Sequence, residues 1–179
     1  LIEGCLLCHD STYNPEKETI IGDPTEGAMV VLAYKCKMIK TDWEKKFPRL
    51  QEIPFDSDRK LMSTFHNINN EIVMYTKGAP DELLRRCTEV EIEGKRQALT
   101  DQKKDEILAK NTEFAQSALR VIGVAYRIVD KVDTSLESEN NLVFVGLLGM
   151  IDPPREEAKE AIDICKAAGI QVKMITGDH

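Results

Sequence analysis

The densest pattern in the chain lies between residues 50 and 80, where three stretches of alternating apolar and polar residues follow one another. Residues 50–55, 60–68 and 71–77 read as strands, because alternate side chains of a strand share a face. Asn69-Asn70 tolerates the positive φ that a tight hairpin demands, and Asp56-Ser57-Asp58 supplies the other turn. Upstream, residues 2–9 read as a helix and Asn14-Pro15-Glu16-Lys17 as a loop. Asp23, Pro24 and Glu26 fit the N-cap, first and third positions of a helix running to about Cys36. That spacing makes Glu26 the reciprocal member of a capping box. A short amphipathic helix starts at Thr41-Asp42 and is ended by Pro48, and another runs from Pro80 through Leu83, Leu84 and Cys87.

The second half continues with a strand and turn over residues 90–94. Thr100 caps the longest helix, 101–119, with Ile107, Leu108, Phe114, Ala115, Ala118 and Leu119 on one side. A buried strand over 120–128, a polar loop over 130–141 and a strand over 142–151 follow. At Asp152-Pro153-Pro154-Arg155 two prolines stiffen the crossing and end the preceding pattern. Helix 155–168 stops at Gly169, and the apolar run 170–175 reads as a strand with Thr176-Gly177-Asp178 just past its end. Helix, glycine, strand and then an acidic residue is the grammar of a doubly wound fold.

With 179 residues the chain can build one substantial core, or one domain and part of another. Its longest apolar run, 142–151, is half of what a bilayer span requires, and the first residues carry no signal pattern. The abrupt apolar start suggests that the chain begins inside a larger protein. A net charge of −7 argues against a general nucleic-acid binder, so any anion must be held by a local cluster. Five cysteines, an odd number, suggest reduced thiols in a cytosolic setting. Cys5-Leu6-Leu7-Cys8-His9 spells a haem-attachment pattern, but its two leucines favour an apolar helix turn with both thiols in a core.

Alternation places Phe55 with Ile53, Lys60 with Met62 and Thr64, and Lys77 with Tyr75 and Val73. If these faces coincide, one sheet surface carries an aromatic ring, a thioether and two ammonium groups. A ring of this kind can stack on a purine, a lysine can meet a phosphate, and Gly78 lets a flat ligand approach the backbone. Other uses of the same residues stand beside this one. Phe55 and Met62 can be core, the lysines can be solvated edge charges, and Arg120 can serve a phosphate or a surface salt bridge.

Gly22-Asp23-Pro24-Thr25-Glu26, the run from Pro54 to Ser63, Lys77-Gly78-Ala79-Pro80, Asp152-Pro153-Pro154-Arg155 and Thr176-Gly177-Asp178 occur in one order. Together they resemble the P-type cation-transporting ATPases, most closely the calcium-pump branch. The resemblance implies an α/β fold in which residues 1–152 form a nucleotide-binding domain, a mostly antiparallel sheet flanked by helices. Residues 153–179 would be the hinge, Asp152 to Arg155, and part of a phosphorylation domain of haloacid-dehalogenase type.

It further implies ATP, carried with magnesium whose ligands lie outside this chain. Phe55 would lie against adenine, Glu26 near its amino group and Met62 beside the base. Lys60 and Lys77 would line the pocket, Gly78 would permit close approach, and Arg120 would reach the phosphates. Thr176, Gly177 and Asp178 match a phosphate-side motif. The family's phosphorylated aspartate is absent from this sequence, and Ser57 stands where calcium pumps often carry arginine.

The chain alone is therefore expected to bind ATP weakly and not to turn it over. Its partners would be the remaining phosphorylation, actuator and transmembrane domains of one pump, at the cytoplasmic face of a membrane. A haloacid-dehalogenase-type phosphatase and a protein-interaction module are the alternatives.

Overall fold

The computed structural model describes residues 1–151 and 155–175. In chain order the elements are α1 (Ile2–Leu7), β1 (Thr12–Asn14), β2 (Thr19–Ile21), α2 (Pro24–Lys35) and α3 (Lys40–Lys46). Then come β3 (Arg49–Asp56), β4 (Leu61–Ile68), β5 (Glu71–Gly78), α4 (Pro80–Arg85), β6 (Cys87–Ile92) and β7 (Lys95–Ala98). Helix α5 (Asp101–Gln116), β8 (Arg120–Val129), a 3-10 turn (Leu136–Ser138), β9 (Leu142–Met150) and α6 (Glu156–Ala167) complete them.

Seven strands form one sheet in the order β3-β4-β5-β8-β9-β6-β7, antiparallel throughout except where β6 runs parallel to β9. The β4–β5 hairpin closes Ile68 onto Glu71, and both turn residues, Asn69 and Asn70, take positive φ as the asparagine pair predicts. Strands β4 and β5 sit inside the sheet and are buried on both faces. On one face Leu61, Phe65 and Met74 pack with Leu83 and Leu84 of α4 and with Phe144. On the other, Met62, Val73 and Tyr75 meet Leu7 of α1, its C-cap Cys8 and Phe47, while Val124 meets Cys5 and Met29. These are called below the α4 face and the α1 face.

Several boundaries differ from the sequence reading for identifiable reasons. Helix α4 stops at Arg85, because Cys87 pairs with Leu142 and opens β6. The predicted loop at Asn14 is the turn of the β1–β2 hairpin, with the Asn14 side chain accepting from the Glu16 and Lys17 amides. Helix α5 ends at Gln116, and Ala118 then takes a left-handed φ of 57° so that the Leu119 N–H returns to Phe114. The expected strand over 170–175 is not formed. Ile170, Val172, Met174 and Ile175 are exposed, and no strand among the described residues offers them a ladder. The hinge residues Asp152, Pro153 and Pro154 and the triplet Thr176, Gly177 and Asp178 lie outside the described residues, while Arg155 is the N-cap of α6.

Candidate functional site

Strand β3 does not keep the simple alternation. Ile53 pairs with Ser63 and Asp56 with Leu61, so Pro54 and Phe55 together oppose Met62. This is a β-bulge, which bends a strand and re-aims a side chain. Ile53 therefore belongs to the α4-face core, and Phe55 is carried to the Met62 side, contrary to the expectation that the two share a face. The Phe55 residue is 61% exposed, while Met62 beneath the strand is buried. Core, the alternative open to both side chains, is excluded for Phe55 and holds for Met62.

Met62 pairs directly with Lys77 across the β4–β5 ladder. Lys77 is buried, on an interior strand, so it is not a solvated edge charge. Its Nζ reaches Glu26 Oε1 at 2.5 Å. Lys60 departs from expectation. It precedes β4 in the turn, exposed and at a left-handed φ of 57°, so strand alternation does not place it with Met62 and Thr64. Its carbonyl accepts the Ala79 N–H at 3.1 Å. A Cβ on Gly78 would fall 2.1 Å from that carbonyl oxygen, so the missing side chain first makes room for the chain's own turn.

Helix α2 brings Glu26 to Lys77. Asp23 caps it as predicted, accepting from the Thr25 N–H at 2.8 Å and the Glu26 N–H at 3.1 Å. The reciprocal half of a capping box is not formed, because the Glu26 carboxylate turns away to other donors. Its Oε2 accepts from the Asp10 and Ser11 amides at 3.0 and 3.2 Å and lies 3.2 Å from the Ser11 hydroxyl. Desolvation pushes this carboxyl up, but the Lys77 hydrogen bond, the Lys77 charge and the Asp10 amide together overcome it. Glu26 consequently sits below its ordinary value.

The 9–11 segment that cradles Glu26 is itself pinned. Lys40 donates to the Ser11 carbonyl at 2.7 Å, and Arg49 binds Asp10 at 2.6 Å and the His9 carbonyl at 2.5 Å. His9 is fully buried with no partner for either ring nitrogen among the described residues. Burial, reinforced by Lys40 and Lys77, lowers its pKa to about 3. The haem pattern is accordingly a core element. Cys5 and Cys8 are buried free thiols, and burial pushes Cys5 up to about 12. Arg120 opens β8 at the same end and donates to the Thr25 hydroxyl at 3.0 Å, which sets it beside the start of α2.

Glu26, Met62 and Lys77 thus come together directly, with Phe55 opposite Met62 and Arg120 tied to α2. The residues that sequence reasoning missed are Asp10, Ser11, Lys40 and Arg49, and on the far face Arg59 and Glu139. Their contacts span intervals that no local pattern reports. The open concavities along α6, bordered by residues 155–167, share no residue with this cluster. No group of three or more His, Cys, Asp or Glu suited to a metal ion occurs among the described residues.

An exposed ring on the strand beside a buried thioether, with a lysine–glutamate pair on the same face, can chemically accommodate a flat ligand with an anionic tail. A family model described as P-type ATPase, cytoplasmic domain N, matches residues 1–157, and the chain belongs to that family. All of the chain aligns at 46% identity with calcium-transporting ATPase 1 of Bacillus cereus and at 43% with that of Lactococcus lactis, covering 20% of each relative. A sodium/potassium exporting P-type ATPase of Schizosaccharomyces pombe is 35% identical over the whole chain and 18% of its own length. The chain spans about a fifth of the length of the curated relatives it matches. Among the described residues no helix is long and apolar enough to cross a membrane.

Proposed function

We propose that residues 1–152 bind ATP for a cation-transporting, calcium-type P-type pump and that 153–179 are its hinge and a piece of a haloacid-dehalogenase-like phosphorylation domain. The observation that carries this reading is the exposed Phe55 ring, turned by the bulge to the face of the Lys77–Glu26 pair. Adenine stacks on Phe55, Arg120 and Lys60 meet the phosphates, and magnesium arrives with the nucleotide. Closure about 152–155 then carries the γ-phosphoryl to an aspartate outside this chain, so that this domain contributes positioning. The sheet works at the cytoplasmic face of a membrane, alongside the phosphorylation, actuator and transmembrane domains of the same pump.

Glu26 can take part without giving up Lys77. Two carboxylate oxygens offer about four acceptor sites, and Lys77 and the two amides fill three. The Ser11 hydroxyl has one proton and a second acceptor, the Asp23 carbonyl at 3.0 Å. When it donates there, Oε2 keeps the two amides, and the fourth site, on Oε1 beside Lys77, receives an adenine amine.

Stacking of roughly 1–3 kcal/mol and a charged hydrogen bond or two at about 1.5–3 each work against an association cost of at least ~4. Affinity is then on the order of millimolar. Titrating ATP into the isotopically labelled chain is expected to shift the amide signals of Phe55, Lys77 and Gly78, and Phe55→Ala should abolish those shifts. Equal shifts in the variant would remove the stacking claim, and the chain alone should release no phosphate.

A further inference from the structure

Behind the bulge, on the α4 face, a second buried ion pair holds the strand from the other side. Arg59 Nη1 lies 2.7 and 2.9 Å from the two oxygens of Glu139, and its Nη2 donates to the Pro54 carbonyl at 2.5 Å. The Glu139 side chain is wholly buried and that of Arg59 nearly so. Ser63 donates to Glu139 at 2.6 Å and shares a 2.8 Å hydrogen bond with Thr76 of β5. Glu139 ends the 3-10 turn of the β8–β9 connection, whose carbonyls at Ser138 and Asn140 accept from Arg127.

The partners of Arg59 have a geometric meaning. A bulge interrupts the ladder, and Pro54, with no N–H of its own, depends on its carbonyl for anchorage. Arg59 supplies a charged donor to that carbonyl while its other arm is locked by Glu139. A guanidinium can span both because its donors are set in a rigid fork. The turn that carries Arg59 is closed locally, with the Asp56 carboxylate accepting from the Asp58 and Arg59 amides at 3.0 and 2.8 Å.

We propose that Arg59 and Glu139 are positioning residues for Phe55: from the opposite face of the sheet they hold the Pro54 carbonyl and so set the bulge that presents the ring. Neither needs to touch a ligand. The role in nucleotide affinity rests on the ATP-binding reading above, whereas the effect on Phe55 itself does not.

Arg59→Lys tests this, since a lysine keeps the charge facing Glu139 but cannot fork to Pro54. In the 179-residue chain, adenosine and ATP are expected to bind about tenfold more weakly, while inorganic tripolyphosphate binds within about twofold of its original affinity. In the ligand-free variant the Phe55 amide and Met62 methyl signals should move, with those of β8 unchanged. Unaltered adenosine affinity, or an equal loss for tripolyphosphate, would overturn the positioning role in binding. Unmoved Phe55 and Met62 signals would overturn it altogether. A wild-type chain that ignores ATP would instead refute the nucleotide reading and leave the ligand-free comparison to decide this one. Should Arg59→Lys fail to fold, Ser63→Ala removes one bond to Glu139 and is read in the same way, with a loss of about threefold expected for adenosine.

Discussion

Strands β4 and β5 carry a buried ion pair on each face, and the two differ in kind. Arg59–Glu139 is sealed, with side chains 7% and 0% exposed and the carboxylate held by the guanidinium and Ser63. Lys77–Glu26 is partly open, since the Glu26 side chain is 17% exposed and one of its donors, Ser11, has somewhere else to turn. A pair shut off from water can only hold a shape. A pair whose carboxylate keeps an edge in water is the one the proposed nucleotide site uses, so on that proposal support and reception fall on opposite faces of the sheet.

The sharpest way to break this contrast is to truncate one acid on each side. Glu139→Ala leaves a guanidinium buried and unpaired, a loss expected to cost about 3–5 kcal/mol. For a chain of this size that lowers the melting temperature by roughly 6–20 °C. Glu26→Ala should cost less, about 2–3 kcal/mol, because this pair is the less enclosed of the two, with the Glu26 side chain 17% exposed. Thermal unfolding of the two variants side by side measures the difference, and equal losses would erase the asymmetry.

Acid should strike the open side first. His9, packed behind Glu26 and Lys77, has a folded pKa of about 3 against an ordinary 6.5. Between those values the unfolded chain takes up a proton that the folded chain refuses. Stability is therefore untouched above 6.5 and declines as pH falls toward 3, by about 2 kcal/mol at pH 5. Glu26 acts in the same direction lower down: its carboxyl is depressed, so its contribution is complete above the ordinary value of 4.5 and lost as pH falls through the lower folded one. Urea midpoints at pH 7.5 and 5 should separate wild type from His9→Gln, whose amide cannot titrate. An identical slope in the variant would place the acid sensitivity elsewhere.

The smallest effect sharpens the contrast most. Phe55→Ala should change stability by no more than about 0.5 kcal/mol, since the ring is largely in water. A larger loss in a urea melt would mean that the ring supports the fold and is not held out for a ligand.

Much of this was legible beforehand. The three-strand run, the Asn69-Asn70 hairpin and the Asp23 cap follow from local chemistry, and local chemistry is what a sequence displays. Phe55 was harder. Alternation presumes a regular ladder, and the bulge that turns Phe55 away from Ile53 shows only in the pairing of β3 with β4. Glu139 sits in a stretch that reads as polar loop, because the arginine that buries it is eighty residues away. Glu26 looked committed to its own helix end until folding brought Asp10, Ser11 and Lys77 within reach. The run at 170–175 failed for the converse reason: apolar residues propose a strand, but only a neighbour can accept it.

Met62 and Ser63 are adjacent in β4, yet one packs on the α1 face, below the proposed nucleotide, and the other reaches Glu139 on the far side. A single peptide bond thus joins two jobs, because the pleat sends successive side chains to opposite faces of the sheet. If Phe55 stacks on a base as proposed, the place to reshape base preference is position 55, where a new ring or a bare backbone meets solvent, and not the strand behind it.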